Sequence, residues 1–122
     1  MAPKAAPAPE VVKPVVRKLV EKDYEAEVLK ATEPVVLDFC SADGPACAAL
    51  APRFGAVAEK FDGKIRFYTI VRTENDALAT QLKVTASPTL IFFKAGQEIG
   101  ERLTGDDIKR TSLKASVEAL LK

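Results

Sequence analysis

The sequence of 122 residues contains no histidine and no tryptophan, and it has only two cysteines. The missing histidine excludes a Ser-His-Asp or Cys-His nucleophile and any histidine-ligated metal site. Two cysteines are too few for a four-cysteine zinc site, an iron–sulfur cluster within one chain or a disulfide scaffold. We therefore expect no metal and no cofactor, and the low cysteine count fits a cytoplasmic protein.

An excess of charge of one sign is also missing, since 18 Lys and Arg balance 17 Asp and Glu to a net charge of +1. This balance gives no general attraction for nucleic acid. There is no apolar run of about 18 residues, so we expect no transmembrane helix. The first residues lack the apolar stretch of a secretory signal. We expect a monomer with no nucleic-acid or membrane partner.

The first fourteen residues read MAPKAAPAPEVVKP and contain four prolines, three of them in Ala-Pro steps. Proline fixes φ and removes a hydrogen-bond donor, so this stretch cannot sustain a helix. Its composition is also too poor in large apolar residues to bury much surface. We predict a flexible Ala/Pro-rich tail over residues 1–14 and one domain over residues 15–122, a length that can bury a sizeable core.

From Val15 onward the hydrophobic pattern predicts strands that alternate with helices in the order β-α-β-α-β-α-β-β-α. Strands joined through helices should be parallel, and the last hairpin, around Ala95 and Gly96, should be antiparallel. The pattern thus predicts an α/β fold whose central mixed β-sheet is flanked by helices on both faces. The strands are expected at 15–20, 35–39, 64–71, 89–94 and 98–103, and the helices at 21–31, 46–61, 76–83 and 113–121.

Three segments carry a resemblance that covers nearly all of residues 15–122: DYEAEVLKATEPVVLDF, VVLDF followed by CAALAP, and ASPTLIFFKAGQ. The family that they resemble is the thioredoxin family. VVLDF followed by CAALAP resembles the family's strand, active-site turn and proline-kinked helix. ASPTLIFFKAGQ resembles its proline loop and hairpin, and DYEAEVLKATEPVVLDF resembles its first helix and second strand. The resemblance implies a thioredoxin-like fold and a role in redox homeostasis, acting on the thiols or disulfides of proteins or peptides.

The active-site motif departs from the Trp-Cys-Gly-Pro-Cys of the family. In an alignment without gaps, Gly44 stands at the attacking cysteine, and Cys40 and Asp43 stand at two tryptophans. Cys47 matches the second, resolving cysteine, so the sequence reads Gly-Pro-Ala-Cys and contains no CxxC pair. A shift by one residue would instead place Asp43 at the attacking position. The chain resembles thiol–disulfide oxidoreductases but lacks their attacking cysteine.

The two cysteines therefore leave several interpretations open. Disulfide exchange needs one thiolate to attack and a second thiol to resolve the mixed disulfide. Cys40 and Cys47 could form a reversible disulfide across the turn if their Cβ atoms come within about 4.5 Å. Alternatively, one of them, such as Cys47, acts as a monothiol that forms mixed disulfides with partners. In the remaining interpretation the chain is a redox-inactive module that binds proteins or peptides.

Asp38 is the third candidate catalytic residue. Asp38 and Cys40 are separated by two positions on one strand, so their side chains point to the same face. The resemblance implies that Asp38 is the buried acid that accepts a proton from the resolving thiol. The alternative is a carboxyl group that bonds to water or to Ser41 and has no part in catalysis.

The segment Ser87-Pro88-Thr89 resembles the cis-proline loop that faces the active-site turn in the family. The resemblance implies that the backbone of Ser87 pairs with an extended substrate by β-strand addition. Ser87 and Pro88 are therefore predicted substrate-binding residues, together with Gly44, Pro45 and Ala46 of the turn. The alternative is that Pro88 only shapes the sheet. Ser87 is polar where the family usually has an apolar residue.

Overall fold

The computed structural model describes residues 15–41, 44–105 and 108–122. The predicted tail falls on residues 1–14, which lie outside the described residues. The strands are β1 (Val16–Lys18), β2 (Val35–Cys40), β3 (Arg66–Val71), β4 (Thr89–Lys94), β5 (Gln97–Glu98) and β6 (Leu103–Thr104). The helices are α1 (Pro45–Lys60), α2 (Asp76–Gln81) and α3 (Arg110–Ala119).

The strands form one mixed sheet in the order β1-β3-β2-β4-β5, and β6 also pairs with β4. β3 pairs in parallel with β1 and β2, whereas β4 runs antiparallel to β2, β5 and β6. All six residues of the central strand β2 are buried, as its near-continuous apolar pattern predicts for a strand covered on both faces. The predicted α/β fold with a mixed central sheet is confirmed.

Alternation along β2 divides its side chains between two hydrophobic clusters. Val35, Leu37 and Phe39 belong to one cluster, which also contains residues of α2 and of the segment before β2. Val36 belongs to the other cluster, which contains the buried residues of α1 and α3. Asp38 and Cys40 share the parity of Val36, so β2 presents both of them to the face that α1 covers.

The segment before β2 differs from the predicted α-helix. It forms a 3-10 turn at Glu21–Asp23 and a π-helical turn at Glu25–Leu29. The spacing of Tyr24, Val28 and Leu29 at i, i+4 and i+5 predicts one apolar face; Tyr24 and Val28 are buried, but Leu29 is 38% exposed. Hydrophobic spacing therefore identified two of the three residues, and it does not distinguish an α-helix from a wider or a tighter turn of helix.

Hydrogen bonds with the first residues of α2 fix the start of the segment that precedes β2. The Glu21 N–H donates to Asn75 Oδ1 at 2.8 Å, and the Leu78 N–H donates to Glu21 Oε1 at 3.3 Å. Asn75 occupies the N-cap position of α2, since its carbonyl accepts from the Ala79 N–H. Its side chain, however, makes no capping bond to its own helix. The Glu21 carboxyl group takes that role for α2 instead.

The last predicted strand, 98–103, is divided into β5 and β6, which both pair with β4. Gly100, with φ of +72°, lies between them and adopts a conformation that interrupts a regular strand. The preceding turn contains Ala95 at φ +54° and Gly96 at φ +77°. A Cβ on Gly96 would lie 2.5 Å from the carbonyl oxygen of Leu29, so glycine is also needed there for close packing.

Candidate active site

The structure joins Cys40 and Cys47 in a disulfide, with Cα atoms 5.8 Å apart. Cys40 is the last residue of β2, and Cys47 is the third residue of α1. Cys40 is only 9% exposed, whereas Cys47 is partly exposed. The structure therefore shows the pairing that the sequence left as one of several interpretations, and it gives the two sulfurs different access to solvent.

Helix α1 begins with residues that leave its first turn uncharged. Gly44 is the N-cap in an extended conformation, and Pro45 occupies the first helical position, where its missing N–H costs no hydrogen bond. Among the residues that the structure describes, no side chain caps the helix, and residues 45–52 carry no charge. The partial positive charge at this end favours an anion such as a thiolate at Cys47. A Cβ on Gly44 would meet Ser41 at an ordinary distance of 3.5 Å, so no tight contact requires glycine there.

Asp38 lies beneath this turn and is 5% exposed. Its Oδ1 is 3.1 Å from Cys40 Sγ. A disulfide sulfur carries no hydrogen, so in the oxidised protein only a protonated Asp38 can make this hydrogen bond, with its O–H as donor. Burial raises the pKa of Asp38 from 3.8 to about 7, so the carboxyl group exchanges its proton near neutral pH. The resemblance implied that the acid serves Cys47, whereas the contact in the structure is with Cys40.

A cavity of about 310 Å³ opens beside the disulfide. Its walls include Asp38 and Thr69 from the sheet and small residues from α1, so the described residues of α1 that line it have no bulky side chain over the acid. A larger cleft of about 720 Å³ lies around Arg17, Arg66 and Tyr68 and contains none of the predicted site residues. The smaller cavity therefore marks the candidate site. It is lined by Asp38, Cys40, Gly44, Pro45, Cys47, Ala48, Ala51 and Thr69.

The proline loop reaches the same turn from the other side. The Ser87–Pro88 peptide bond is cis, and Pro88 is buried. Ser87 Oγ accepts a hydrogen bond from the Ser41 N–H at 2.9 Å and lies 3.4 Å from Cys47 Sγ. Sequence reasoning placed Ser87 in the site through its backbone alone and gave Ser41 no functional part, so it missed both contacts.

The predicted site residues thus fall into two groups. Asp38, Cys40, Gly44, Pro45 and Cys47 line one cavity. Ala46, Ser87 and Pro88 lie outside its lining, and the contact from Ser87 to Cys47 connects the proline loop to the first group.

Two classes of feature are not found in residues 15–41, 44–105 and 108–122. No helix there has the length and apolar character needed to cross a bilayer. No cluster of three or more Cys, Asp or Glu side chains in these ranges is placed to hold a metal ion.

Comparison with known proteins gives consistent matches over most of the chain. The family model described as Thioredoxin matches residues 15–119. A thioredoxin from Peptoclostridium acidaminophilum is 33% identical over 99 residues, which cover 80% of this chain and 89% of the relative. A thioredoxin from Acetoanaerobium sticklandii is 36% identical over 103 residues, covering 84% and 93%. A chloroplastic M-type thioredoxin from Spinacia oleracea is 31% identical over 114 residues, covering 93% and 61%.

Proposed function

The chain belongs to the thioredoxin family, and from this membership we propose that it carries out thiol–disulfide exchange with Cys40 and Cys47 in place of a CxxC pair. Membership of the family supports a thiol–disulfide redox function, and members of the family generally act on protein disulfides. The observation that carries the proposal is the disulfide between Cys40 and Cys47, which lies against a buried carboxyl group. This arrangement supplies the two thiols and the proton acceptor that exchange requires.

The exposure of the two sulfurs supports Cys47 as the attacking residue. Cys47 is partly exposed at the first turn of α1, whereas Cys40 is 9% exposed at the end of β2. In the reduced protein the Cys47 thiolate attacks one sulfur of the partner's disulfide. The partner's S–S bond breaks, a Cys47–partner disulfide forms, and the other partner sulfur leaves as a thiolate that takes a proton from solvent. Cys47 thus attacks, although it aligns with the family's resolving cysteine.

Cys40 and Asp38 then complete the exchange. The Cys40 thiol gives its proton to the Asp38 carboxylate, whose Oδ1 lies 3.1 Å from the sulfur. The Cys40 thiolate attacks Cys47 Sγ, forms the Cys40–Cys47 disulfide and releases the second partner thiolate, which takes a proton. Two electrons pass from the protein to the partner, which leaves as a dithiol. A dithiol reductant regenerates the protein by the reverse exchange.

We further propose that the partner binds beside Pro88 and across Gly44, Pro45 and Ala46. Support comes from the contact between Ser87, which precedes Pro88, and Cys47 Sγ at 3.4 Å. A partner strand paired with the Ser87 backbone would therefore lie next to the attacking sulfur. The cytoplasmic location expected from the sequence stays a prediction, since the relatives include a chloroplastic protein.

Reduction of insulin by dithiothreitol tests the proposed activity. We expect the wild-type protein to accelerate the reaction above the rate with dithiothreitol alone, because its disulfide accepts and passes on electrons. Cys47→Ser should fall to that background rate, since no exposed thiol remains to attack. The control is the unfolding midpoint of the variant, compared with the reduced wild-type protein. A wild-type rate at background would overturn the proposal in favour of a redox-inactive binding module. A folded Cys47→Ser variant that keeps the activity would overturn the assignment of Cys47 as the attacking residue.

A further inference from the structure

The hydroxyl group of Ser87 makes three polar contacts beside the disulfide. The Ser41 N–H donates to Ser87 Oγ at 2.9 Å, and the Ser41 hydroxyl donates to the same oxygen at 3.3 Å. Cys47 Sγ lies 3.4 Å from Ser87 Oγ. Ser87 and Cys47 are 40 positions apart in sequence, so the fold, and not chain proximity, creates this contact.

The direction of the hydrogen bond to sulfur follows from counting donors and acceptors. A serine hydroxyl has one hydrogen and two lone pairs. The two groups of Ser41 occupy both lone pairs of Ser87 Oγ, which leaves its hydrogen for Cys47. A disulfide sulfur carries no hydrogen, so Ser87 must be the donor. In the reduced protein this hydrogen is available to the Cys47 thiolate, and a hydrogen bond to an anion is stronger than one to a neutral atom.

We propose that Ser87 is a catalytic residue whose hydroxyl donates a hydrogen bond to Cys47 Sγ and stabilises the thiolate that attacks and later leaves. Ser41 is the positioning residue, because its N–H and hydroxyl orient the Ser87 oxygen. This inference rests on the proposed exchange activity. It adds no bond-making step to the exchange, since Ser87 keeps its proton while the Cys47 sulfur forms and breaks its S–S bonds as described above.

The charged groups around Cys47 determine how much a hydrogen bond from Ser87 affects its thiolate. Among the described residues, β2 contributes Asp38 and Cys40 to the shared cavity, and β3 contributes Thr69. The α1 segment 45–52 has no ionisable side chain other than Cys47. An ionised Asp38 disfavours a second negative charge nearby and so disfavours the Cys47 thiolate. The Ser87 hydrogen bond and the N-terminus of α1 favour the thiolate and oppose this effect.

The test measures the rate of iodoacetamide alkylation at Cys47 against pH in the fully reduced protein, with the site identified by peptide mass. Ser87→Thr and Ser87→Val form a matched pair of nearly equal volume that differ in the hydroxyl group. We expect Ser87→Thr to keep the wild-type midpoint pH of the alkylation rate. Ser87→Val should raise it by about one pH unit, which is about a tenfold change in the thiol–thiolate equilibrium. Ser41→Ala removes one of the two orienting groups and should give a smaller rise in the same direction.

A purely structural role for Ser87 would change stability without moving this midpoint. If the folded Ser87→Val variant has the wild-type midpoint, the proposed hydrogen bond has no effect and the inference is wrong. The readout needs no turnover, so it remains separate from the proposed activity. A wild-type protein that does not reduce insulin overturns the activity, whereas an unchanged midpoint in an active protein overturns only the role of Ser87.

Discussion

Replacing Cys40 with serine is expected to stop turnover and to leave a long-lived disulfide between Cys47 and the partner. Cys47 is partly exposed and can still attack, but the sulfur that would displace the partner is absent. Resolution then requires a thiol from solution, and the loss of an intramolecular attacking group slows such a step by several orders of magnitude. We expect insulin reduction at least about 100-fold slower than for the wild-type protein.

Intact mass under non-reducing conditions measures this trapped intermediate. After incubation with a disulfide-containing peptide, Cys40→Ser should gain the mass of one half of the peptide disulfide. Cys47→Ser is the matched control and should gain little, because its remaining cysteine, Cys40, is a buried residue that is 9% exposed in the native fold. Equal trapping in the two variants, or trapping only in Cys47→Ser, would show that Cys40 attacks and would contradict the assigned order.

Replacing Asp38 with asparagine is expected to stabilise the oxidised protein strongly above neutral pH. Burial raises the pKa of Asp38 from 3.8 to about 7, so the fold favours the protonated carboxyl group. The contribution of Asp38 to the stability of the wild-type protein is therefore most favourable below about pH 4 and falls as the pH rises towards about 7. At about 1.4 kcal/mol per pKa unit, the difference between the pKa of 3.8 and the pKa of about 7 corresponds to roughly 4 kcal/mol of stability. Asparagine cannot ionise, so the variant should avoid most of this loss at pH 8.

Urea unfolding of the oxidised proteins between pH 4 and pH 8 tests this expectation. The free energies of unfolding of wild type and Asp38→Asn should be similar at pH 4 and should diverge as the pH rises. Asp62→Asn, which neutralises an exposed carboxyl group, is the matched control and should retain the wild-type slope. If Asp38→Asn keeps the wild-type pH dependence, burial of this acid does not destabilise the fold as the structure implies.

These two predictions rest on parts of the molecule that the sequence revealed to different degrees. The near-continuous apolar residues of β2 identified a strand covered on both faces, and the alternation between Val36 and Leu37 follows from strand geometry alone. Because Asp38 and Cys40 are two residues apart on this strand, their common face was also predictable. The contact between their side chains therefore depends on a short-range relation that the sequence already contains.

The rest of the site depends on long-range packing that no local pattern encodes. Whether Cys40 reaches Cys47 depends on the path of the turn between β2 and α1, so spacing alone left the pairing open. The contact between Ser87 and Cys47 requires the proline loop to pack against α1, and the residue before Pro88 gave no signal beyond its polarity. The π-helical turn at Glu25–Leu29 escaped prediction because burial of Tyr24 and Val28 is equally compatible with an α-helix.

The central claim is that Cys40 and Cys47 form one reversible disulfide that exchanges electrons with thiols. In the most direct test, the folded protein is equilibrated in buffers of graded thiol-to-disulfide ratio. It is then denatured, its free thiols are labelled with iodoacetamide, and its intact mass is measured. We expect the protein to change between no label and two labels in a single reversible step, at the mass of the monomer. Two labels at every ratio, even after mild oxidation, or disulfide-linked dimers in place of the unlabelled monomer, would contradict the claim.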